Sequence, residues 1–130
     1  MKKRNSLLIT ALLISLLLCT TAQAKTTGPE LQLVRCTCYI ATGNVTASGV
    51  YPYEGIVAST GEHLANGDIA ALYTRDMEFI GYFECRDTGG DERIQDGTRI
   101  DIYRDSIEQA YEWVGEYGDF VYVEWVEAKG

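Results

Sequence analysis

From Leu31 to Ile40 the apolar positions Val34, Cys36, Cys38 and Ile40 recur at every second residue, the period of a strand with one buried face. Both cysteines then point inward from the same strand. The alternation returns in Phe79-Ile80-Gly81-Tyr82-Phe83-Glu84-Cys85, where Phe79, Phe83 and Cys85 share a side. Gly55 to Ser59, Asp68 to Thr74, Thr98 to Tyr103 and Phe120 to Val126 are short runs rich in Val, Ile, Leu and Tyr, residues that fit a pleated, half-buried surface. Turn residues separate them, at Thr42-Gly43-Asn44, Ser48-Gly49, Asn66-Gly67-Asp68, Thr88-Gly89-Gly90 and Asp96-Gly97.

One segment changes period. Asp105 and Glu108 form a capping pair, Ile107, Ala110, Tyr111 and Val114 follow the i, i+3, i+4, i+7 stripe, and Gly118 is placed to stop the run. The stripe predicts an inward face, with Glu108, Gln109, Glu112 and Glu116 turned to water. Six short strands with a single helix before the last predict a mainly all-β fold, a small β-barrel, because closure removes exposed sheet edges.

The amino end obeys different rules. Lys2, Lys3 and Arg4, an apolar stretch from Ser6 to Leu18, and Ala22-Gln23-Ala24 make residues 1–24 an export signal cleaved after Ala24. The apolar run from Leu7 to Leu18 is only 12 residues long, short of the ~18 that a spanning helix requires. Stable membrane insertion is therefore not expected, and bulky Leu18 before Cys19 argues against lipid attachment there. The expected location is outside the cell or in its envelope. Residues 25–35 then form a leader and the start of the first strand, and residues 36–130 a single domain.

Removal of the signal sharpens the charge. Three of the 11 basic residues lie in it, leaving 8 against 19 acidic side chains, a formal charge of −11. Such a surface repels phosphate backbones, so nucleic acid is excluded as a partner, and a neutral glycan or a basic peptide is easier to accommodate. Three cysteines remain, Cys36, Cys38 and Cys85. Export permits a disulfide, Cys85 is a partner for Cys38 or Cys36, and Cys38 with Cys85 is taken as the expected pair. With His63 as the one histidine, no zinc site or other metal is indicated, and no motif calls for a cofactor.

The sharpest local signal is Arg86-Asp87-Thr88-Gly89-Gly90 directly after a strand, followed by Gly97-Thr98-Arg99-Ile100-Asp101-Ile102-Tyr103, the helix and a final strand through Val121-Tyr122-Val123-Glu124-Trp125. This order resembles the second half of the three-aspartate (3D) domain, a double-psi β-barrel found in lytic transglycosylases and stationary-phase survival muralytic proteins. Cys38 to Gly43, Thr46 to Gly49 and Gly55 to Ala58 resemble that family's opening strands, so the likeness spans residues 36–126. It implies a six-stranded double-psi barrel, a monomer acting on peptidoglycan glycan strands, and Asp87 and Asp101 as two of the three aspartates. Where the family has Val-Asp, this chain has Ala58-Ser59, and the family's Ile-Pro-Leu-Gly-Thr segment is replaced by His63 to Asp68. The loop Asp91 to Gly97 is longer and more acidic than the family's.

Glycosidic cleavage needs a proton delivered to the leaving oxygen and a stabilised oxocarbenium-like centre, and carboxyl groups do both. In the transglycosylase variant one carboxyl serves first as acid and then as base on the sugar's own 6-hydroxyl, giving a 1,6-anhydro product. By this resemblance Asp87 is the acid/base and Asp101 the neighbour that perturbs it or binds substrate, with Ser59, Thr88, Gly89 and Gly90 as substrate contacts. Plainer roles exist for each: Asp87 suits a turn cap, Asp101 an ion pair with Arg99 or Arg86, and His63 a surface loop. Tyr39, Tyr51, Tyr53, Tyr73 and Trp125 suit sugar stacking or cross-strand packing. A non-catalytic glycan-binding barrel is the competing function. The Asp-Thr-Gly of a dimeric aspartic protease fits poorly, since Glu84 and Arg86 flank Asp87 where such a site is apolar.

Overall fold

The computed structural model describes residues 30–128. The export-signal reading of residues 1–24 lies outside them. Strands β1 (Gln32–Tyr39), β2 (Ile56–Ala58), β3 (Ile69–Tyr73), β4 (Phe79–Asp87), β5 (Arg99–Tyr103) and β6 (Phe120–Val126) close into one barrel in the order β1-β5-β2-β4-β3-β6. Three helices decorate it: α1 (Gly61–Asn66), α2 (Glu92–Gln95) and α3 (Ile107–Tyr117). The sheet is mixed, with β1 parallel to β5, β2 parallel to β4, and the other neighbours antiparallel. Among the described residues no helix is long and apolar enough to cross a membrane.

Period two and register together build the core. Val34 lies beside Val121, Cys36 beside Ile100, and Cys38 beside Ile102. Ile102 lies beside Val57, Val57 beside Cys85, and Leu72 beside Val123. All of these but the half-buried Cys38 are buried, and each fully buried aliphatic side chain contributes about 1.5–3 kcal/mol.

Helix α3 sits where the sequence places it but turns the other way. Its buried residue is Trp113, 4% exposed, packed edge-on to Phe83 at 5.6 Å and against Tyr117 at 4.6 Å. Ile107, Tyr111 and Val114 of the expected inward stripe are exposed, Tyr111 at 75%. The indole removes more apolar area from water than the smaller stripe residues can, and so it decides the helix's rotation. The N-cap is Ser106, whose Oγ accepts the Gln109 N–H at 3.2 Å, while the Asp105 N–H donates to Glu54 Oε1 at 2.8 Å. Gly118 stops the helix as expected, at φ 74° with its N–H donating to the Val114 carbonyl.

The two short helices were not expected, because four and six residues are too few to display a helical period. Thr60 caps α1 and Asp91 caps α2 through their side chains. His63 is consequently no surface-loop residue. It lies in α1 with its ring stacked on Trp125 at 3.8 Å.

Strand β4 departs from simple alternation twice. Its register against β3 shifts between Leu72 and Tyr73, so Tyr73 lies beside Phe79, and Ile80 packs on the core while Phe79 is turned outward against Tyr82. The expected inward position of Phe79 is corrected by this bulge. A second shift, against β2, lies between Val57 and Ala58.

The expected Cys38–Cys85 disulfide is absent, and Cys36, Cys38 and Cys85 are all free thiols. In a ring of six strands β1 and β4 stand three places apart, facing each other across the barrel. That exceeds the Cα separation of about 4.4–6.8 Å that a disulfide allows. The Cys85 Sγ instead donates to the Asp87 carbonyl at 3.6 Å. Burial pushes the Cys36 thiol up to about 12, and those of Cys38 and Cys85 to about 11.

Two outcomes are expected. Trp113→Ala removes the plug under the barrel and lowers stability by about 3–5 kcal/mol, read as a lower urea midpoint with unchanged slope. Native protein at neutral pH reacts very slowly with a thiol reagent at these three positions, and denaturant makes all of them reactive. An intact mass lacking the hydrogens lost on oxidation contradicts the packing.

Candidate functional site

Across the outer surface of β1, β5, β2 and β4, one row of neighbours reads Thr37, Asp101, Ala58, Asp87. Asp101 belongs there by parity, since Ile100 and Ile102 on either side face the core. Asp87 does not. It follows Cys85 by two residues and by alternation belongs inside; the register shift at the end of β2 sets it beside Ala58 on the outer face. Small Ala58 between them leaves the space over the row to the longer side chains. With one strand between them, the two aspartates' Cα atoms are roughly 10 Å apart, and the charge of Asp87 contributes to raising the Asp101 pKa.

Asp101 is held from two sides. Arg99 donates through Nη2 to Oδ1 at 3.0 Å and to Oδ2 at 3.2 Å, and through Nε to Oδ1 at 3.2 Å. The Thr37 hydroxyl donates to the same Oδ1 and accepts from Arg99 Nε at 2.8 Å. Arg99 also reaches Asp91 at 3.3 Å, so one guanidinium serves two carboxylates. Burial nevertheless raises the Asp101 carboxyl above the usual range; Arg99 opposes this, and Asp91 and Asp87 add to it. Asp91, exposed and bonded to Arg93, is lowered to about 2.

Asp87 is anchored by the chain around it. Its Oδ1 accepts the N–H of Ala47 at 3.0 Å and of Thr88 at 2.9 Å, which pins the 40–55 loop to the start of the Asp-Thr-Gly-Gly turn. The turn-cap role is therefore present. Tyr39 reaches toward both acids from β1, packed edge-on to Tyr103 at 5.5 Å. Its hydroxyl is buried without a hydrogen-bond partner among the described residues. Burial raises its ionisation first, and the charges of Asp87 and Asp101 raise it further.

The remaining expected contacts divide. Ser59 is 1% exposed with its N–H on the Asp87 carbonyl at 3.1 Å, so it supports the Asp87 backbone from below and offers nothing to a ligand outside. Thr88 gives its N–H to Asp87. Gly89 backs onto Ile94, where a Cβ would meet ordinary contact at 3.8 Å, and Gly90 has open space. Among the aromatics, Tyr73 packs with Phe79 and Trp125 with His63, while Tyr51 and Tyr53 are exposed.

Two members of the constellation, Thr37 and Asp91, were not expected from the sequence, and Tyr39 was expected only as a stacking or packing aromatic; the available signal was that Thr37 and Tyr39 occupy the outward parity of β1. A cleft of about 420 Å³ between β1 and α3, lined by Thr37, Tyr39, Ile40, Ile107 and Tyr111 among others, borders the row without being lined by the aspartates. Among the described residues no group of three or more His, Cys, Asp or Glu side chains is arranged to hold a metal. The arrangement offers one carboxyl of raised affinity for its proton, a second negative charge beside it, and a guanidinium that steadies the first when it is ionised. Compared with known proteins, the chain matches no family model and no curated sequence.

Proposed function

We propose that this chain acts on the glycan strands of peptidoglycan outside the cell, cleaving a glycosidic bond by carboxyl acid/base chemistry of the lytic transglycosylase kind. The observation that carries the reading is Asp101, a partly buried carboxyl with a raised pKa, set one strand from Asp87 on an outer face that borders a cleft. The roles are exchanged relative to the sequence expectation. Asp101 is the carboxyl that keeps its proton to higher pH than an ordinary aspartate, and it is the group suited to pass a proton to the leaving oxygen. Arg99 and Thr37 then steady the carboxylate, which takes back a proton from the sugar's 6-hydroxyl. Asp87, fixed by two backbone N–H groups, supplies negative charge beside the developing cation.

A second reading, a glycan-binding barrel without catalysis, draws support from the same bonds. Both carboxyls have protein donors, and the position where the resembled family carries its other aspartate holds buried Ser59.

Digestion of purified peptidoglycan followed by mass spectrometry separates the two. Cleavage predicts 1,6-anhydro fragments from the native protein and a loss of about 10²–10⁴-fold in Asp101→Asn, with a smaller loss in Asp87→Asn. Folded protein that releases no fragments, yet sediments with insoluble wall equally well as Asp101→Asn, establishes the binding module.

The pH profile carries its own sign. A raised acid keeps its proton to higher pH, so cleavage falls as pH rises through that pKa. Arg99 holds the value down; Arg99→Met therefore moves the falling limb to higher pH, and movement to lower pH assigns the limb to another group.

A further inference from the structure

The outer surface of β4, β3, β6 and β1, the other way round the barrel from the acid row, carries an exposed aromatic face. Tyr73 lies beside Phe79 of β4 and beside Tyr122 of β6, and Tyr122 lies beside Leu33 of β1. Tyr122 stands between the core residues Val121 and Val123, so its ring points outward, and Tyr73 follows core Leu72 for the same reason. Phe79 is 52% and Tyr82 68% exposed, with their rings 5.0 Å apart, and the Tyr73 ring lies 5.5 Å from that of Phe79. Contiguous exposed rings of this kind mark a binding surface.

Charge marks the same face. Arg86, Arg93, Arg99 and Arg104 each hold a carboxylate, at 3.0 to 3.2 Å. Arg35 and Arg75, both exposed, pair with none among the described residues. Their guanidinium carbons lie instead 5.8 and 6.0 Å from the centre of one ring, that of Phe120. Phe120 lies beside Arg35 in the β1–β6 ladder, two residues before Tyr122, so the arginines adjoin the aromatic row. In a chain with 19 acidic side chains against 11 basic, two arginines left over on one aromatic face complement an anion. The face is also continuous with the aspartates. Leu33, Arg35 and Thr37 alternate outward along β1, at about 6.7 Å per step, and Thr37 bonds Asp101.

We propose that this face binds a glycan strand that carries carboxylates, extending the path of the strand that meets Asp101. The rings of Phe79, Tyr73 and Tyr122 are spread over three neighbouring strands, a row about 10 Å wide. They offer apolar surface on which the C–H face of a sugar ring rests, while the arginines meet the carboxylates. A second copy of the chain is disfavoured as the occupant, since the excess of acidic side chains makes two copies repel. The inference rests on the reading of this chain as a wall-acting protein, but not on its cleaving the strand.

Sedimentation of the full protein with purified peptidoglycan tests the assignment, beside a second sample of the same wall whose carboxyls have been amidated. Phe79→Ala combined with Tyr82→Ala weakens retention by about tenfold, and Arg35→Gln combined with Arg75→Gln does the same on the untreated wall. On the amidated wall the native protein and the arginine variant bind alike, and Asp101→Asn leaves retention unchanged on both. The four substituted patch positions are exposed, so the variants keep the fold. Retention that is absent, that the patch substitutions leave untouched, or that the arginine variant weakens equally on both walls overturns the proposal, whatever a digestion assay shows. Retention that depends on the patch, without 1,6-anhydro fragments from the native protein, upholds it and overturns cleavage instead. A protein that is dimeric without wall and becomes monomeric when Phe79 and Tyr82 are replaced makes a second copy the occupant, and this also overturns the proposal.

Discussion

Closure of the sheet through β1 is the constraint on which the rest of the molecule depends. The carboxyl half of that strand, from Arg35 to Tyr39, runs parallel to β5, while its amino half, from Gln32 to Arg35, pairs antiparallel with β6. Arg35 belongs to both ladders. One strand therefore joins the two ends of the sheet, and among the described residues the six strands close into a ring. Closure also makes parity absolute. A side chain on the inner face meets Val, Ile, Leu, Ala and Cys, with Phe83 and Trp125 packed against them, so any charge must lie outside or at the barrel's ends.

Strand β4 carries the functional consequence, because it escapes that parity twice. One shift exchanges Phe79 for Ile80 against the core, and the other brings Asp87 beside Ala58. Without the second, a carboxylate would enter the apolar interior. With it, Asp87 joins Asp101 on a shared outer face, and the Asp-Thr-Gly-Gly turn receives the 40–55 loop through the Ala47 N–H. The bulge thus does what a change of sequence could not do alone: it re-aims one side chain while keeping Cys85 in the core.

Four aspartates in this one small domain show how surroundings divide a single residue type into different chemical roles. Asp101 is crowded by burial and neighbouring negative charge and opposed by Arg99. Asp87 is an anchored acceptor of backbone N–H groups. Asp68 is bonded on one oxygen by a stacked histidine and, among the described residues, unmatched on the other. Asp91, exposed and bonded to Arg93, ionises far more readily than Asp101 although both touch Arg99. Burial and donor count, rather than the motif in which each residue is embedded, set these differences.

The six strands, the helix before the last of them and its stop at Gly118 were legible in the chain, because the alternation of apolar side chains and the placing of glycine are local properties. Asp101 was legible as an outward carboxylate for the same reason, lying between two core isoleucines. What local pattern does not contain is the partner. Which strands face one another across the barrel decided that Cys38 and Cys85 stay apart. Competition for buried area decided that Trp113, and not the Ile107–Val114 stripe, turns inward. Register between β2 and β4 decided that Asp87 shares the outer row with Asp101. Periodicity reports that a face will be buried; only the packed chain settles against what, since that choice depends on contacts between residues far apart in sequence.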